Sequence, residues 1–289
     1  MLAISTVGNL GRRAAAKLLR MAAAKANETA CRFDSHALLT RGEKEILARN
    51  RTYCDRYKGR RAFVLGNGPS LNQLHLECLQ NELVFAVNGF ACHPILDVWQ
   101  PAVLALGDPS YSEKYESFLA EFEQIRKRLS TCSFFLPLSF WRTFTRHRLL
   151  PAERCFYSCL RGNMAFQKRF TVDLTRPVPG GQTVALFAIL ISLYMGCNPI
   201  YLVGMDHDFL ATPKAPTHFS DAYEASVAGS EVPRFSTWTY LRLVQAVTRM
   251  FEGYVNIKRV ADSRGQCILN ATPGGFLDVF PRVQYECLF

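Results

Sequence analysis

The segment Ala62–Leu74, AFVLGNGPSLNQL, constrains the fold more than any other stretch of this chain. Four apolar residues stop abruptly at Gly66-Asn67-Gly68-Pro69-Ser70, after which the pattern becomes helix-like. That order predicts a strand, a tight turn and a helix N-terminus. Such a turn lets bare backbone approach an anion, while free N–H groups and the helix dipole supply positive potential. A phosphate or nucleotide site is therefore one reading, and an ordinary glycine-rich βα turn is the other. It is not a Walker A loop, because no Gly-Lys-Ser/Thr follows. Nor is it a full dinucleotide fingerprint, because Leu71 stands where a third glycine belongs.

The same grammar recurs downstream. Leu83–Val87 runs into Asn88-Gly89, and Ala102–Leu106 runs into Gly107-Asp108-Pro109. The stretches between the first two strands and after the third read as helices, the latter over residues 111–130 with Phe118, Leu119 and Phe122 on one side. A second block, Gly180–Phe209 (GGQTVALFAILISLYMGCNPIYLVGMDHDF), gives a helix over Thr183–Met195 that is apolar nearly all round. It is too short to span a bilayer, and Gly196 follows it as a C-terminal cap. A strand over Pro199–Val203 then ends in Gly204 and Asp206-His207-Asp208. Alternating strands and helices predict an α/β class: a Rossmann-like, mostly parallel sheet flanked by helices, with ligand groups at strand C-termini.

Between these blocks, residues 131–172 lack clean periodicity, although SFFLPL reads as a strand and WRTFTRHRLL as a helix. Residues 211–236 form a long polar connection of lid-like character. A helix over Thr237–Glu252 and a strand-like segment near Ile257–Val260 complete the chain before Asn270-Ala271-Thr272-Pro273-Gly274-Gly275. At 289 residues the organisation is a basic N-terminal extension, 1–35, and a single Rossmann-like domain, 36–289.

Charge and cysteine usage narrow the partners. The net charge of +10 suits a nucleotide, a polyanion or an acidic membrane surface. Nucleic acid is not indicated, since neither zinc-finger spacing nor an aromatic-flanked basic repeat occurs. Ten cysteines lie singly, with no C-x-x-C pair and with Cys155 and Cys159 at i,i+4 spacing, so reduced thiols in the cytoplasm are expected. Residues 1–27 carry five basic side chains and no acid. A helix lying on the inner face of an acidic membrane fits this pattern, and so does a solvated helix packed on the domain.

Taken in order, these motifs carry a resemblance: GNGPSL after the first strand, Asn88 after the second, the Asp108-Pro109-Ser110 turn after the third, the apolar helix ending in glycine, and the strand IYLVGMD. The series resembles the bacterial sialyltransferases of glycosyltransferase family 42. It is similar at least as much to the MptE-like (DUF115) domain superfamily of hydroxymethylpterin pyrophosphokinases and surface-glycan glycosylation proteins. The block Gly180–Phe209, Thr217-His218-Phe219 and NATPGGFLDVFPR carry the MptE-like side. The likeness covers roughly residues 60–285 and implies a glycosyltransferase using a nucleotide-activated sugar, CMP-linked in the sialyltransferases, and a glycan or lipid-linked acceptor.

On this resemblance Gly66, Asn67, Gly68, Pro69 and Ser70 form the nucleotide cradle, joined by Asn88, Asp108, Gln182 and Thr183. His218 matches the location of the family's general base, with His207 as rival and Asp206 beside them. The residues depart from the family where Asn-Pro-Ser becomes Asp108-Pro109-Ser110 and Thr-Ser-Gly becomes Gln182-Thr183-Val184. The phosphate-facing tyrosine pair has only Tyr223 and Tyr240 as candidates. Asp108, Asp206 and Asp208 could collect Mg²⁺, and Asp206 could equally cap a strand end. Arg234, Arg264 and Arg282 read as phosphate clamps or solvated surface, and Trp99 and Trp238 as packing residues. Two other functions stay open: a Mg-dependent pyrophosphokinase of the pterin type, and a non-catalytic nucleotide-binding module.

Overall fold

The computed structural model describes Ala22 and residues 39–208, 210, 211, 218, 219 and 239–289. The N-terminal extension, most of the 211–236 connection, Arg234, Tyr223 and Trp238 lie outside the described residues.

The strands are β1 (Ala62–Leu65), β2 (Leu83–Val87), β3 (Val103–Ala105), β4 (Ser133–Pro137), β5 (Cys155–Ser158), β6 (Leu160–Asn163), β7 (Val178–Gly180), β8 (Ile200–Val203) and β9 (Ile268–Asn270). Seven of them form one sheet in the order β5-β4-β3-β2-β1-β8-β9, with every pair parallel, while β6 and β7 form a separate parallel pair. The expected α/β, Rossmann-like parallel sheet is what the chain adopts. From β1 to β5 it steps outward along one side, then returns to place β8 on the other side of β1. The β1/β8 boundary is thus the topological switch point, where open α/β sheets form a crevice beyond the strand C-termini.

Helices cover both faces, so the central strands are continuous apolar runs rather than alternating ones. On one face Ala62, Val64, Phe85, Val103 and Phe135 pack with α5 (Val184–Tyr194) and α6 (Tyr240–Ser263). On the other, Phe63, Leu65, Ala86, Leu104 and Phe134 pack with Phe122 and Ile125 of α3 (Leu119–Arg128). Two smaller helices, α2 (Ser110–Glu113) and α4 (Trp141–Arg146), and α1 (Arg41–Ala48) complete the set among the described residues. In α5 every residue from Ala185 to Tyr194 is buried, as its all-round apolar sequence requires. No described helix is long and apolar enough to cross a membrane.

Several local expectations are corrected. The segment after β1 is a 3₁₀ turn, Pro69–Gln73, followed by another at Leu76–Leu79, rather than an α-helix. The helix expected over 111–130 is broken into α2, a 3₁₀ turn at Tyr115–Phe118 and α3. The strand expected near Ile257–Val260 belongs to α6. Met250, Gly253, Tyr254, Ile257, Val260 and Ala261 are buried at three- and four-residue spacing along it, the helical period. The nine described cysteines are free.

The helical register of α6 makes its own prediction for chemical unfolding. Ile257→Ala should cost about 2–5 kcal/mol, as a buried truncation. Lys258→Ala removes only an exposed i,i+4 pair with Asp262 and should change stability by no more than about 0.5 kcal/mol.

Candidate functional site

A cavity of about 640 Å³ opens at the C-terminal ends of β1, β2, β3 and β8. Its walls gather Gly66, Asn67 and Gly68 after β1, Asn88 after β2, Asp108 and Pro109 after β3, and Asp206 and His207 after β8. Gln182 and Thr183, at the start of α5, and His218 complete the polar lining. Residues separated by some 150 positions in sequence therefore meet at one mouth. Of the expected site residues, Pro69, Ser70 and Asp208 do not line it.

The β1 turn is held differently from a phosphate cradle. Gly66 N–H donates to Val203 O at 2.8 Å and Gly68 N–H to Gly204 O at 3.0 Å. Ser70 donates twice to Asp206, from its N–H to Oδ1 at 3.2 Å and from its hydroxyl to Oδ2 at 2.8 Å. Pro69 has no N–H. The donors expected for an anion are thus largely spent on tying β1 to β8. The glycines answer to the same contact. A Cβ on Gly66 would lie 2.3 Å from Gly204 O, and one on Gly68 would lie 1.7 Å from Asp206 Oδ2. Close backbone approach explains both glycines without a ligand.

Asp206 is itself clamped from behind. Phe276 N–H donates to Asp206 O at 2.8 Å, and Met205 N–H donates to Thr272 Oγ1 at 3.0 Å. Arg282 spans the carbonyls of Thr272, Gly274 and Gly275, which makes it a loop brace rather than a phosphate clamp. Arg264 likewise binds Gln266 and Leu193 O. Burial pushes the Asp206 carboxyl up, and the two Ser70 bonds pull it partly back.

The other strand ends carry comparable ties. Asn88, at φ +38°, accepts from Gly107 N–H through Oδ1 at 2.9 Å, leaving its amide Nδ2 as the donor at the cavity wall. Asn67 Nδ2 donates to Val87 O at 3.1 Å, whereas its Oδ1 is buried with no hydrogen-bond partner. That orphan acceptor marks where a donor on a ligand would fit. Asp108 Oδ1 accepts from the N–H and hydroxyl of Ser110. Asp206 and Asp108 are so engaged, and Asp208 stands off the cavity. Among the described residues no three His, Cys, Asp or Glu side chains group as a metal site.

The best remaining source of positive potential is α5. Thr183 caps it, accepting Ala185 N–H through Oγ1 at 3.4 Å, and the helix carries no acid in its first turn. Gly181 to Ala185 line the cavity, so the N-terminal end of this eleven-residue helix faces the space.

The two histidines differ in surroundings. His207 sits at φ +49° with Nε2 2.7 Å from the Tyr254 hydroxyl, and its ring leans on Tyr254 and Phe251. Burial pulls its pKa down to about 4. A neutral imidazole so reluctant to take a proton is a poor base at pH 7. His218 reaches the same cavity from the segment whose next residue, Phe219, donates its N–H to Asn67 O at 2.7 Å. Tyr254 was missed because the expected helix stopped at Glu252, although the spacing Met250-Tyr254-Ile257 carries the signal. Leu160, Met205 and Met250 also line the cavity and have no local sequence signature.

No family model and no curated protein matches the chain. Among solved structures it is similar to the MAf glycosyltransferase from Magnetospirillum magneticum AMB-1, with TM-score 0.50 and 15% identity over 86% of this chain. The two share a fold. The likeness spans 39% of the MAf chain. The chain is also similar to the sialyltransferase CstII from Campylobacter jejuni in complex with cytidine-5'-monophosphate (TM-score 0.44, 11% identity, 78% of this chain and 85% of that one). A structure of sialyltransferase CST-II with trisaccharide acceptor and CMP gives TM-score 0.45 and 12% identity over 78% and 86% of the two chains.

Two stability measurements test this geometry. Gly68→Ala should destabilise by about 3 kcal/mol or more in urea unfolding, since Asp206 leaves no room for the methyl. Placing it in an Asp206→Ala background should recover part of that loss, and only part, because Gly204 O lies 2.7 Å from the same Cβ position. A loss of equal size in both backgrounds would sink the contact as its cause. For His207, the folded pKa lies below the ordinary 6.5, so the unfolded chain takes the proton first. Its stabilising contribution is complete above pH 6.5 and is lost as pH falls towards 4. Glu121, pushed up to about 7 by burial, acts in the opposite sense, but equally in both proteins compared. The stability difference between wild type and His207→Gln should therefore shrink by up to about 3 kcal/mol across that window, at about 1.4 kcal/mol per pKa unit.

Proposed function

We propose that the chain is a glycosyltransferase using a nucleotide-activated sugar, CMP-linked on the strength of its motifs, with a glycan or lipid-linked acceptor. The observation that carries this reading is the meeting of Asn67, Asn88, Asp108, Gln182, Thr183 and His218 on one cavity at the switch point. A volume of about 640 Å³ is in the range of small-molecule sites. The shared fold with the MAf glycosyltransferase supports the same class, and the Gly180–Phe209 block with NATPGGFLDVFPR supports its MptE-like branch.

Transfer requires a held phosphate, stabilisation of the charge on the departing nucleotide, and removal of a proton from the acceptor hydroxyl. The N-terminal end of α5, with Gln182 and Thr183, supplies the first two. Asn88 Nδ2 is a further donor, and Asn67 Oδ1 accepts from a hydroxyl or amino group of the nucleotide. His218 takes the proton as general base. No step is routed through a metal. The free cysteines accord with a reducing compartment. The basic stretch 1–27 supports a position beside an acidic membrane face, where lipid-linked acceptors reside.

Calorimetry with CMP, CDP, UDP, GDP and ATP, each with and without Mg²⁺, tests the reading. CMP binding indifferent to Mg²⁺ is expected. Mg²⁺-dependent ATP binding would replace it with diphosphate transfer, and nucleotide binding without turnover on any acceptor would make the chain a binding module. In the transferase, His218→Gln should lower kcat about 10²–10⁴-fold while nucleotide affinity stays within about twofold.

A further inference from the structure

His218 lies outside the sheet, yet it reaches a cavity built from strand ends. What brings it there is its neighbour. Phe219 is tied at both ends of its backbone to the turn after β1: its N–H donates to Asn67 O at 2.7 Å, and its carbonyl accepts from Asn72 Nδ2 at 2.9 Å. Its ring, 9% exposed, enters the cluster on the far face of the sheet. There it meets the His93 ring at 4.7 Å and the edge of Phe90 at 6.3 Å, both from the 3₁₀ segments after β2.

The His93 ring is itself fixed. Its Nδ1 accepts from Ile95 N–H at 3.1 Å, and it stacks on Phe90 at 5.0 Å with planes 11° apart. Burial, with Arg128 nearby, holds its pKa down to about 4, so at neutral pH it offers Phe219 an uncharged face. Two backbone bonds and an aromatic slot therefore determine one residue on three sides. Both loops that hold it also build the cavity, through Asn67 and Asn88.

We propose that Phe219, Asn72 and His93 form a latch that positions His218, coupling the placement of the base to the loops after β1 and β2. This rests on the reading of His218 as the general base. Phe219, Asn72 and His93 are positioning residues: none lines the cavity. A misplacement of about 1 Å in a catalytic group is enough to cost about a hundredfold in rate, so the latch acts on turnover before it acts on folding.

The test uses full-length protein carrying ¹³C-labelled histidine, with the His218 ring resonance assigned by its loss in His218→Gln. Asn72 is exposed, so Asn72→Ala should leave the unfolding midpoint unchanged. It should nevertheless shift the His218 resonance and weaken its response to added CMP. Phe219→Ala should do so more strongly, and Phe219→Leu should recover part of the effect by refilling the slot. With a CMP-linked sugar, Asn72→Ala should lower kcat roughly tenfold to a hundredfold with KM within about twofold, and the unchanged unfolding midpoint excludes a loss of folded enzyme as its cause. Combining Phe219→Ala with His218→Gln should be no worse than His218→Gln alone. The latch is overturned if Asn72→Ala and Phe219→Ala both leave the His218 resonance where it is in wild type. A resonance that moves with the latch in a protein that ignores CMP would support the latch and count against the nucleotide reading alone.

Discussion

The pair of hydrogen bonds from Ser70 to the Asp206 carboxylate is the contact on which the site depends. β1 and β8 are sequence-distant neighbours at the switch point, and their loops leave the sheet in the same direction. Without a tie they would splay, and the crevice between them would have no fixed floor. Asp206 closes that floor only because Gly66 and Gly68 let two backbones approach at distances that a side chain forbids. The NATPGG segment then supports Asp206 and Met205 from the opposite side. The motif that looks most like a ligand cradle is first of all a weld between two strands.

That weld redistributes the electrostatics of the crevice. Donors at Gly66, Gly68 and Ser70 are committed to Val203, Gly204 and Asp206, and the 3₁₀ turn after them is too short to carry a useful dipole. The N-terminal end of α5 has both the length and the free approach to hold an anion. A helix buried along its whole length is also a rigid one, so its first turn is a fixed reference for a phosphate. An all-apolar core helix thus does two jobs with one sequence, filling one face of the sheet and aiming its dipole at the cavity.

Much of this was legible in the sequence, and the exceptions have physical causes. Strands β1, β2, β3 and β8 declared themselves because each is an apolar run cut off by a Gly, Asn or Asp turn. Helix α5 and its Gly196 cap did so for the same reason. Edge strand β5 did not, since the aromatic and basic residues around it obey no period. The C-terminal half of α6 read as a strand because Ile257 and Val260 are β-branched, and burial overrode that propensity. Asn67, Asn88, Asp108, Gln182, Thr183, Asp206, His207 and His218, singled out from the sequence, all line the cavity. What the letters did not hold was their use: which donors were already spent, and that the Asp206 carboxylate accepts two hydrogen bonds from Ser70. Those depend on contacts across the switch point, between residues more than a hundred positions apart.

The contrast between the histidines follows from the same geometry. His207 stands at a strand end, so its place is as fixed as the sheet itself. That fixity comes with burial against Tyr254 and Phe251, which strips the imidazole of its affinity for a proton. His218 comes instead from outside the sheet and lacks the strand's precision. Docking Phe219 into the loops after β1 and β2 restores the precision while leaving His218 on the cavity wall. The sheet therefore supplies rigid donors and acceptors, and His218, the base of the proposed reaction, is attached to that frame through its neighbour.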